Sequence, residues 1–246
     1  MKKIEVTESL SEESSIAYVS SQIKEIVNDF GGETSITRTA GRLKLTVTCL
    51  EKYYDLYKAE IEDKIGDVIS IKYKYAFLKR YLRTIGLTPY ENEILHVAII
   101  AADIEEDKRY TVRKLRAFDN FSIDGIFNFR LQPLKNKWRE VVSFMPFFFT
   151  GSQLCDFVSF ILGEKRGKKV LIEGDRVYDA NFNRLTRSSL ISSDFDVVKE
   201  ALLSHSANVE VVKSVSSREE RELKRYFGAR VCFLSGSLQK TVDKKN

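Results

Sequence analysis

Hydrophobic periodicity in the middle of the chain is the feature that most limits how it can fold. Apolar and aromatic side chains recur there in steps of three and four residues, the spacing of one helix face. The series is Leu50, Tyr54, Tyr57, Ile61, Ile65, Val68, Ile71, Tyr75, Leu78, Leu82 and Ile85. Only 3 prolines occur in 246 residues, so few positions forbid a helix interior. The pattern therefore predicts long helices with one buried stripe.

Glycine and proline mark the borders of this helical region. Gly86 predicts the end of the first helix, which we expect to be broken near Gly66. Thr88 and Pro89 predict the N-cap and first turn of the next helix. Residues 108–118 then predict a shorter helix that is basic and amphipathic.

The N-terminal segment predicts a small β-α-β-β unit. Residues 4–6 have a short strand pattern, and residues 11–30 have a helical pattern that a glycine pair ends. In residues 42–49 apolar and polar side chains alternate, which is the period of a half-buried strand. A turn at residues 39–41 joins this strand to the one predicted at residues 33–38.

The C-terminal segment alternates between strand and helix patterns. Glu173, Gly174 and Asp175 stand between two apolar runs and predict a β-hairpin, because Gly and Asp tolerate the positive φ of a tight turn. A helix, a strand, a helix and a strand are predicted next, at residues 194–204, 209–212, 218–226 and 229–234. A polar tail begins at Ser235.

Together these patterns predict an α+β protein with a helical central bundle at residues 67–165. A small N-terminal β-α-β-β unit is predicted at residues 1–66. A small C-terminal α/β unit, which includes the polar tail, is predicted at residues 166–246. A chain of 246 residues with 43% hydrophobic residues can form cores of this size.

Charge and cysteine content limit the partners and cofactors to be expected. The formal net charge of +5 permits contact with nucleic acid or anionic lipid without requiring either. Cys49, Cys155 and Cys232 lie far apart in the sequence, so neither a disulfide framework nor a zinc site is predicted. No apolar signal segment follows the N-terminal lysines. We therefore expect a reducing, cytoplasmic location and no cofactor.

One apolar stretch, residues 141–162, has nearly the length of a membrane-spanning helix. Pro146, Gly151 and Asp156 interrupt it, and a carboxylate near the bilayer centre costs about 3 kcal/mol. Two core helices joined near Thr150 explain the stretch better. A membrane partner is therefore not expected.

A basic and aromatic stretch at residues 70–85 leaves two interpretations open. Such a composition can bind single-stranded nucleic acid through phosphate pairing and base stacking. At helical spacing Lys72, Lys79 and Arg83 share one face, which is more typical of an ordinary amphipathic helix whose lysine stems cover apolar surface. The candidate anion-binding face consists of Lys72, Lys79, Arg80 and Arg83.

No motif in the sequence names a reaction. The chain lacks a Walker-type phosphate loop, an HExxH zinc motif, a nucleophile elbow and a dinucleotide-binding glycine pattern. His96 lies in an apolar helical pattern and His205 at a predicted helix end, and neither has a carboxylate or cysteine at ligand spacing. No catalytic or metal-binding residue is predicted.

The segment of residues 124–131 combines two aromatic side chains, an amide and an arginine in one apolar run. Its residues are Asp124, Gly125, Ile126, Phe127, Asn128, Phe129, Arg130 and Leu131. We expect Ile126, Phe127 and Phe129 in the core. Asn128 and Arg130 then need polar partners inside it. Arg130 is expected to fasten this helix to another element through an ion pair, since its planar fork suits a carboxylate; the alternative is a ligand-binding arginine.

This segment resembles the central "dGFinFRL" pattern of the YtxC-like family of sporulation-associated proteins from endospore-forming bacteria. Two further regions support the resemblance: the aromatic and basic residues 71–78, and the order of elements in the C-terminal segment. That order is a strand pair, residues 201–204, a strand, and a helix that ends at residues 227–231. The resemblance covers roughly residues 68–234. Gln132-Pro133-Leu134 stands where the family usually has a tyrosine. The C-terminal cysteines associated with the family are reduced here to Cys232.

The resemblance implies an association with sporulation and supplies no catalytic residues, because the family has no established biochemical activity. We therefore expect a non-enzymatic, cytoplasmic binding protein whose unknown partner is another protein. The alternative is a nucleic-acid-binding protein that uses residues 70–85. An enzyme ranks third, and a pocket that gathers Arg130 with two or more acidic side chains would favour it.

Overall fold

The structure is a computed structural model that describes residues 1–163, 169–192, 194–204 and 206–234. It is a mixed α+β protein with helices and two β-sheets, so the predicted fold class is confirmed. Contacts divide the chain into two compact units. The first unit contains residues 1–82 and 103–145, and the second contains residues 83–102 and the described residues from Pro146 onward.

The first unit contains a four-stranded sheet in the order β2-β3-β1-β4. Its strands are β1 (Lys2–Ser9), β2 (Glu33–Thr39), β3 (Arg42–Cys49) and β4 (Phe121–Ser122). β1 is antiparallel to β3 and parallel to β4. No strand was predicted at the position of β4. Ala40 and Gly41 have φ angles of 46° and 78°, as a two-residue hairpin turn requires.

One face of this sheet forms the core of the N-terminal region. Its inward residues alternate along the strands as predicted and include Ile4, Val6, Leu43, Leu45 and Val47, all almost fully buried. Helix α1 (Glu13–Gln22) contacts β1 and β3, and α2 (Lys24–Phe30) follows it. The predicted β-α-β-β order is confirmed, with two short helices in place of one long helix.

The middle of the first unit is a helical run with an unusual segment inside it. Helix α3 (Tyr54–Asp67) continues into a π-helical segment (Val68–Tyr73) and then into α4 (Lys74–Tyr81). The chain stays helical at Gly66, but the regular α-helix ends close to the predicted break, at Asp67, where the π-helical segment begins. A Cβ at Gly66 would lie 2.9 Å from Cγ of Lys108, so the glycine allows a close helix approach instead.

Helix α4 ends earlier than the predicted stop at Gly86. Leu82 is already extended, with φ −82° and ψ 120°. Ile85 pairs with Phe148 in an isolated bridge, which requires extended backbone at this point. The tertiary pairing therefore overrides the helical pattern of residues 82–85.

The next helices are α5 (Pro89–Leu115), α6 (Ile123–Arg130) and α7 (Gln132–Phe144). Thr88 and Glu91 form the predicted start of α5, because each side chain accepts a hydrogen bond from the backbone N–H of the other residue. The separate basic helix expected at residues 108–118 is the end of α5. Asp103 interrupts the helical angles of α5 with φ −133° and ψ 17°, and the division between the units falls there.

The second unit contains a five-stranded sheet in the order β7-β6-β5-β8-β9. Its strands are β5 (Lys169–Glu173), β6 (Arg176–Tyr178), β7 (Arg184–Leu185), β8 (Asn208–Lys213) and β9 (Val231–Phe233), and its later helices are α8 (Gly151–Gly163), α9 (Val197–Leu203) and α10 (Ser217–Phe227). The predicted hairpin and the order of helix, strand, helix and strand are confirmed. Asp196, rather than Asp194, caps α9. The predicted polar tail lies outside the described residues.

The apolar stretch at residues 141–162 contains the end of α7 and most of α8, with a non-helical segment between them. The interpretation as two helices joined near Thr150 is confirmed. Among the described residues, no helix has both the length and the apolar character needed to cross a bilayer.

The division by contacts differs from the three consecutive segments predicted from the sequence. The π-helical segment and α4 group with the N-terminal sheet, because α1 contacts both α3 and the π-helical segment. Helix α5 contributes residues to both units. Periodicity along the chain identifies helices, but it does not say which sheet each helix packs against.

The core of the first unit encloses a charged network. The ammonium of Lys74 is fully buried and pairs with the carboxylates of Asp103 and Asp107, at 2.9 Å for Asp107. Lys137 Nζ lies 3.1 Å from Asp103 and 2.9 Å from Asp107. The indole N–H of Trp138 donates to Asp107 at 2.8 Å. Asp107 is therefore the shared acceptor that compensates two cations and one buried donor.

Replacing this acceptor is expected to destabilise the first unit. Asp107→Asn leaves Lys74 with one carboxylate in a buried site, so the free energy of unfolding should fall by about 3 kcal/mol. Urea unfolding followed by the fluorescence of Trp138, the single tryptophan, measures it. The exposed Asp29→Asn serves as the control and should change stability by less than about 0.5 kcal/mol. Equal stabilities of the two variants would contradict the role of Asp107 as the shared acceptor.

Candidate functional site

The motif at residues 124–131 forms helix α6, and its first residues bind the sheet. Arg42 donates to Asp124 through both terminal nitrogens, at 3.0 and 2.5 Å, and also to Ser122 Oγ at 3.1 Å. These hydrogen bonds lower the pKa of Asp124. A Cβ at Gly125 would lie 2.7 Å from Ser122 Oγ, so a larger side chain here would displace the hydroxyl that binds Arg42.

The middle of the motif packs as predicted. Ile126 is buried, and the ring of Phe127 lies 4.5 Å from the ring of Tyr73 and 5.9 Å from that of Trp138. Lys135 places its ammonium 5.2 Å from the Phe127 ring centroid and donates to the carbonyl of Asn128. Phe127 therefore links the π-helical segment, α6 and α7.

The end of the motif differs from the prediction. Phe129 is 83% exposed, and Asn128 and Arg130 are exposed beside it. The expectations that Phe129 lies in the core and that Arg130 is an internal fastener are wrong. Phe129 and Arg130 follow Ile126 by three and four residues, so helical spacing alone would place them on its buried side. Residues 128–130 are all exposed instead, so the last turn of α6 is not covered on any side. Asp124 and Arg42 make the ion pair that was expected of Arg130.

The predicted anion-binding face is not a single surface. Lys72 Nζ lies 2.7 Å from the carboxylate of Glu12 and donates to Ser14 Oγ, so its charge is already paired. Lys79 and Arg80 are exposed on α4. Arg83 lies beyond the end of α4 and belongs to the second unit. The helical spacing that grouped these cations does not apply, because α4 stops before Arg83.

A buried glutamate on β1 was missed by the sequence analysis. Glu8 continues the inward series of Ile4 and Val6 and is fully buried. Its carboxylate accepts hydrogen bonds from the Tyr73 hydroxyl and the Ser9 backbone N–H, both at 2.8 Å. Burial raises the pKa of Glu8 from 4.5 to about 7, although these hydrogen bonds oppose the shift. The period-two pattern of residues 4–8 could have revealed it, since a glutamate at an inward position is unusual.

Glu8 gives the first unit a specific pH dependence. Because its pKa is raised in the folded state, its contribution to stability is complete below pH 4.5 and is lost as the pH rises through about 7. Glu8→Gln should remove this dependence. The unfolding free energy of the variant minus that of the wild type should therefore rise by up to about 3 kcal/mol between pH 4.5 and pH 8. Urea titrations across this range measure it. Glu5→Gln, a substitution on the other face of β1, should keep the wild-type profile, and parallel profiles for all three proteins would contradict the prediction.

The second unit carries a group of exposed apolar side chains that we call the phenylalanine patch: Ile85, Phe147 and Phe148. They are 50%, 63% and 57% exposed. The backbone holds them together, because Ile85 N–H donates to the Phe147 carbonyl at 2.9 Å and Phe149 N–H donates to the Ile85 carbonyl at 3.0 Å. Three large exposed apolar side chains are thus carried by two backbone segments that hydrogen bonds hold together.

The backbone beneath the patch is closely packed. Gly86 has φ 95°, and a Cβ there would lie 2.6 Å from the Phe149 carbonyl oxygen and 3.1 Å from the Phe148 ring. Only glycine accepts both this angle and this approach. Nearby, Thr84 Oγ1 and Asn92 Oδ1 are 2.6 Å apart, and Glu91 pairs with Arg225. The patch is therefore pre-formed and has polar neighbours.

A cavity of about 380 Å³ in the second unit is the other candidate there. Lys199 and Arg218 lie in its wall with the ring of Tyr90, and Lys199 pairs with Glu93 at 2.6 Å. Burial raises the pKa of Tyr90. Arg130 is not among the lining residues, so the pocket named above as favouring an enzyme does not form here.

Few other groups suggest chemistry. Among the described residues, no three His, Cys, Asp or Glu side chains are grouped to hold a metal ion. His96 is buried on α5, as its apolar pattern predicts, and His205 lies outside the described residues. Cys49 is buried, Cys155 is half-buried and Cys232 is exposed.

Comparisons of the chain with protein-family models, curated proteins and solved structures find no match. The resemblance to the YtxC-like family accordingly stays a prediction from the sequence.

Proposed function

We propose that this protein is a non-enzymatic binding protein that acts in the cytoplasm of sporulating cells by binding a partner protein. The phenylalanine patch is the observation that carries the proposal. Exposed aromatic groups with a polar rim are typical of the centre of a protein interface, where large side chains lose the most water on binding. The sporulation context comes from the resemblance to the YtxC-like family.

The construction of the patch supports a role in binding. Binding is weakened by the entropy that is lost when flexible surfaces become ordered on association. Here the cross-strand hydrogen bonds of Ile85 and the contact at Gly86 order the backbone before any partner arrives. A partner that covers Phe147 and Phe148 therefore gains apolar burial without ordering this segment.

The exposed end of the motif is less well suited to this role. Phe129 is a single exposed aromatic side chain, and isolated apolar residues are common on protein surfaces. Nucleic-acid binding through residues 70–85 is also less supported, because Lys72 is paired and Arg83 is not on the helix. Phe129 therefore provides a useful comparison in the test of the patch.

The proposal is tested by crosslinking capture from sporulating cells with wild-type protein and Phe147→Ser/Phe148→Ser. The double variant should lose the captured partner by about ten-fold or more, because it removes the apolar centre of the surface. Nuclease treatment should leave the wild-type capture unchanged.

Phe182→Ser and Phe129→Ser serve as matched controls, since both remove an exposed phenylalanine elsewhere. They should capture the partner as wild type does, and circular dichroism should give the same fold for all variants. Equal capture by the double variant, or loss of the partner on nuclease treatment, would contradict the proposal.

A further inference from the structure

A groove in the first unit lies along the end of α5. Its volume is about 650 Å³. Its wall is mostly made by one face of the helix and is rich in charge: Glu105, Glu106, Arg109, Tyr110, Arg113 and Arg116. Asp63, Lys108 and Val112 complete the lining. This is the segment that the sequence marks as basic and amphipathic.

Part of the charge in the groove is already compensated. Lys108 Nζ lies 2.8 Å from Asp63 and 2.9 Å from Asp67. Glu106 pairs with Lys137 at 2.7 Å. These groups hold the wall in place and contribute little net field.

Three arginines form no salt bridge in the part of the chain that the structure describes, although Arg116 interacts electrostatically with the carboxylate of Glu62. Arg109, Arg113 and Arg116 are exposed and follow each other at intervals of four and three residues. On a helix these intervals place them on one face, about 6 and 4.5 Å apart along the axis. Arg109 donates only to the backbone carbonyl of Glu105. The groove thus presents a row of guanidinium groups to solvent.

An aromatic ring lies beside this row. Tyr110 lines the groove, and the guanidinium of Arg113 lies 5.6 Å from its ring centroid. Lys114 places its ammonium at the same distance from that ring. A planar base can stack against such an aromatic and guanidinium surface, while phosphates pair with the remaining cations.

We propose that this groove binds the backbone and bases of single-stranded nucleic acid. Arginine binds phosphate through two parallel hydrogen bonds, and a row of three can follow consecutive phosphates. Tyr110 favours this ligand over an acidic peptide, because a planar base can stack on its ring and an acidic side chain cannot. The site is separate from the phenylalanine patch and from residues 70–85, so it does not depend on the proposed function.

The test measures the fluorescence anisotropy of a labelled single-stranded oligonucleotide of about 12 nucleotides as the full-length protein is added. Arg113→Gln/Arg116→Gln should weaken binding by about ten-fold or more and reduce the slope of log affinity against log salt by about 1.4, since two phosphate contacts are lost. Tyr110→Leu should weaken binding about ten-fold while it keeps the wild-type salt slope.

Lys79→Gln/Arg80→Gln removes two exposed cations from α4 and is the matched control. It should bind as wild type does, and circular dichroism should be unchanged for all variants. Phe147→Ser/Phe148→Ser should also bind normally, which separates this site from the protein-binding proposal. Equal binding by the arginine variant, equal binding of duplex DNA, or displacement of the oligonucleotide by polyglutamate at equal charge concentration would each overturn the inference.

Discussion

The first unit depends on the compensation of one buried cation, the ammonium of Lys74. A lysine without access to water is strongly unfavourable unless carboxylates and hydrogen bonds replace its hydration. Asp103 and Asp107 supply the charge, and Trp138 fixes Asp107 from the other side. The Trp138 ring in turn contacts Phe77 and Phe127. Helices α4 to α7 therefore meet at a polar centre surrounded by aromatic packing.

Much of the secondary structure could be predicted because local pattern and burial agree. The alternation in residues 42–49 matches the burial of β3, and Thr88 and Pro89 mark a true helix start. β4 escaped prediction because its two residues form a strand only by pairing with β1. The stop of α4 escaped for the same reason, since Ile85 pairs with distant Phe148. Pairing between distant residues leaves little trace in periodicity.

The surfaces were predicted less well than the core. An apolar run predicts burial for all its members, yet the whole last turn of the short helix α6, which includes Phe129, is exposed. Cations grouped by spacing can differ in their partners, as paired Lys72 and exposed Lys79 do. The arginine row on α5 was visible as a basic segment. Its importance depends on the pairing of Glu106 and Asp63 with Lys137 and Lys108 rather than with the arginines, which spacing along the sequence does not show.

The π-helical segment decides where the chain tolerates a change of length. Its wider turns enclose one more residue than α-helical turns do, so it absorbs an insertion without changing the direction of the side chains that follow. Loss of one residue within Val68–Tyr73 can therefore convert the segment to an α-helix and still keep Lys74 facing Asp107. The same loss within Tyr54–Asp67 would rotate the two parts of the helix by about 100° relative to each other. Natural length variation in this helix should accordingly concentrate in those six residues.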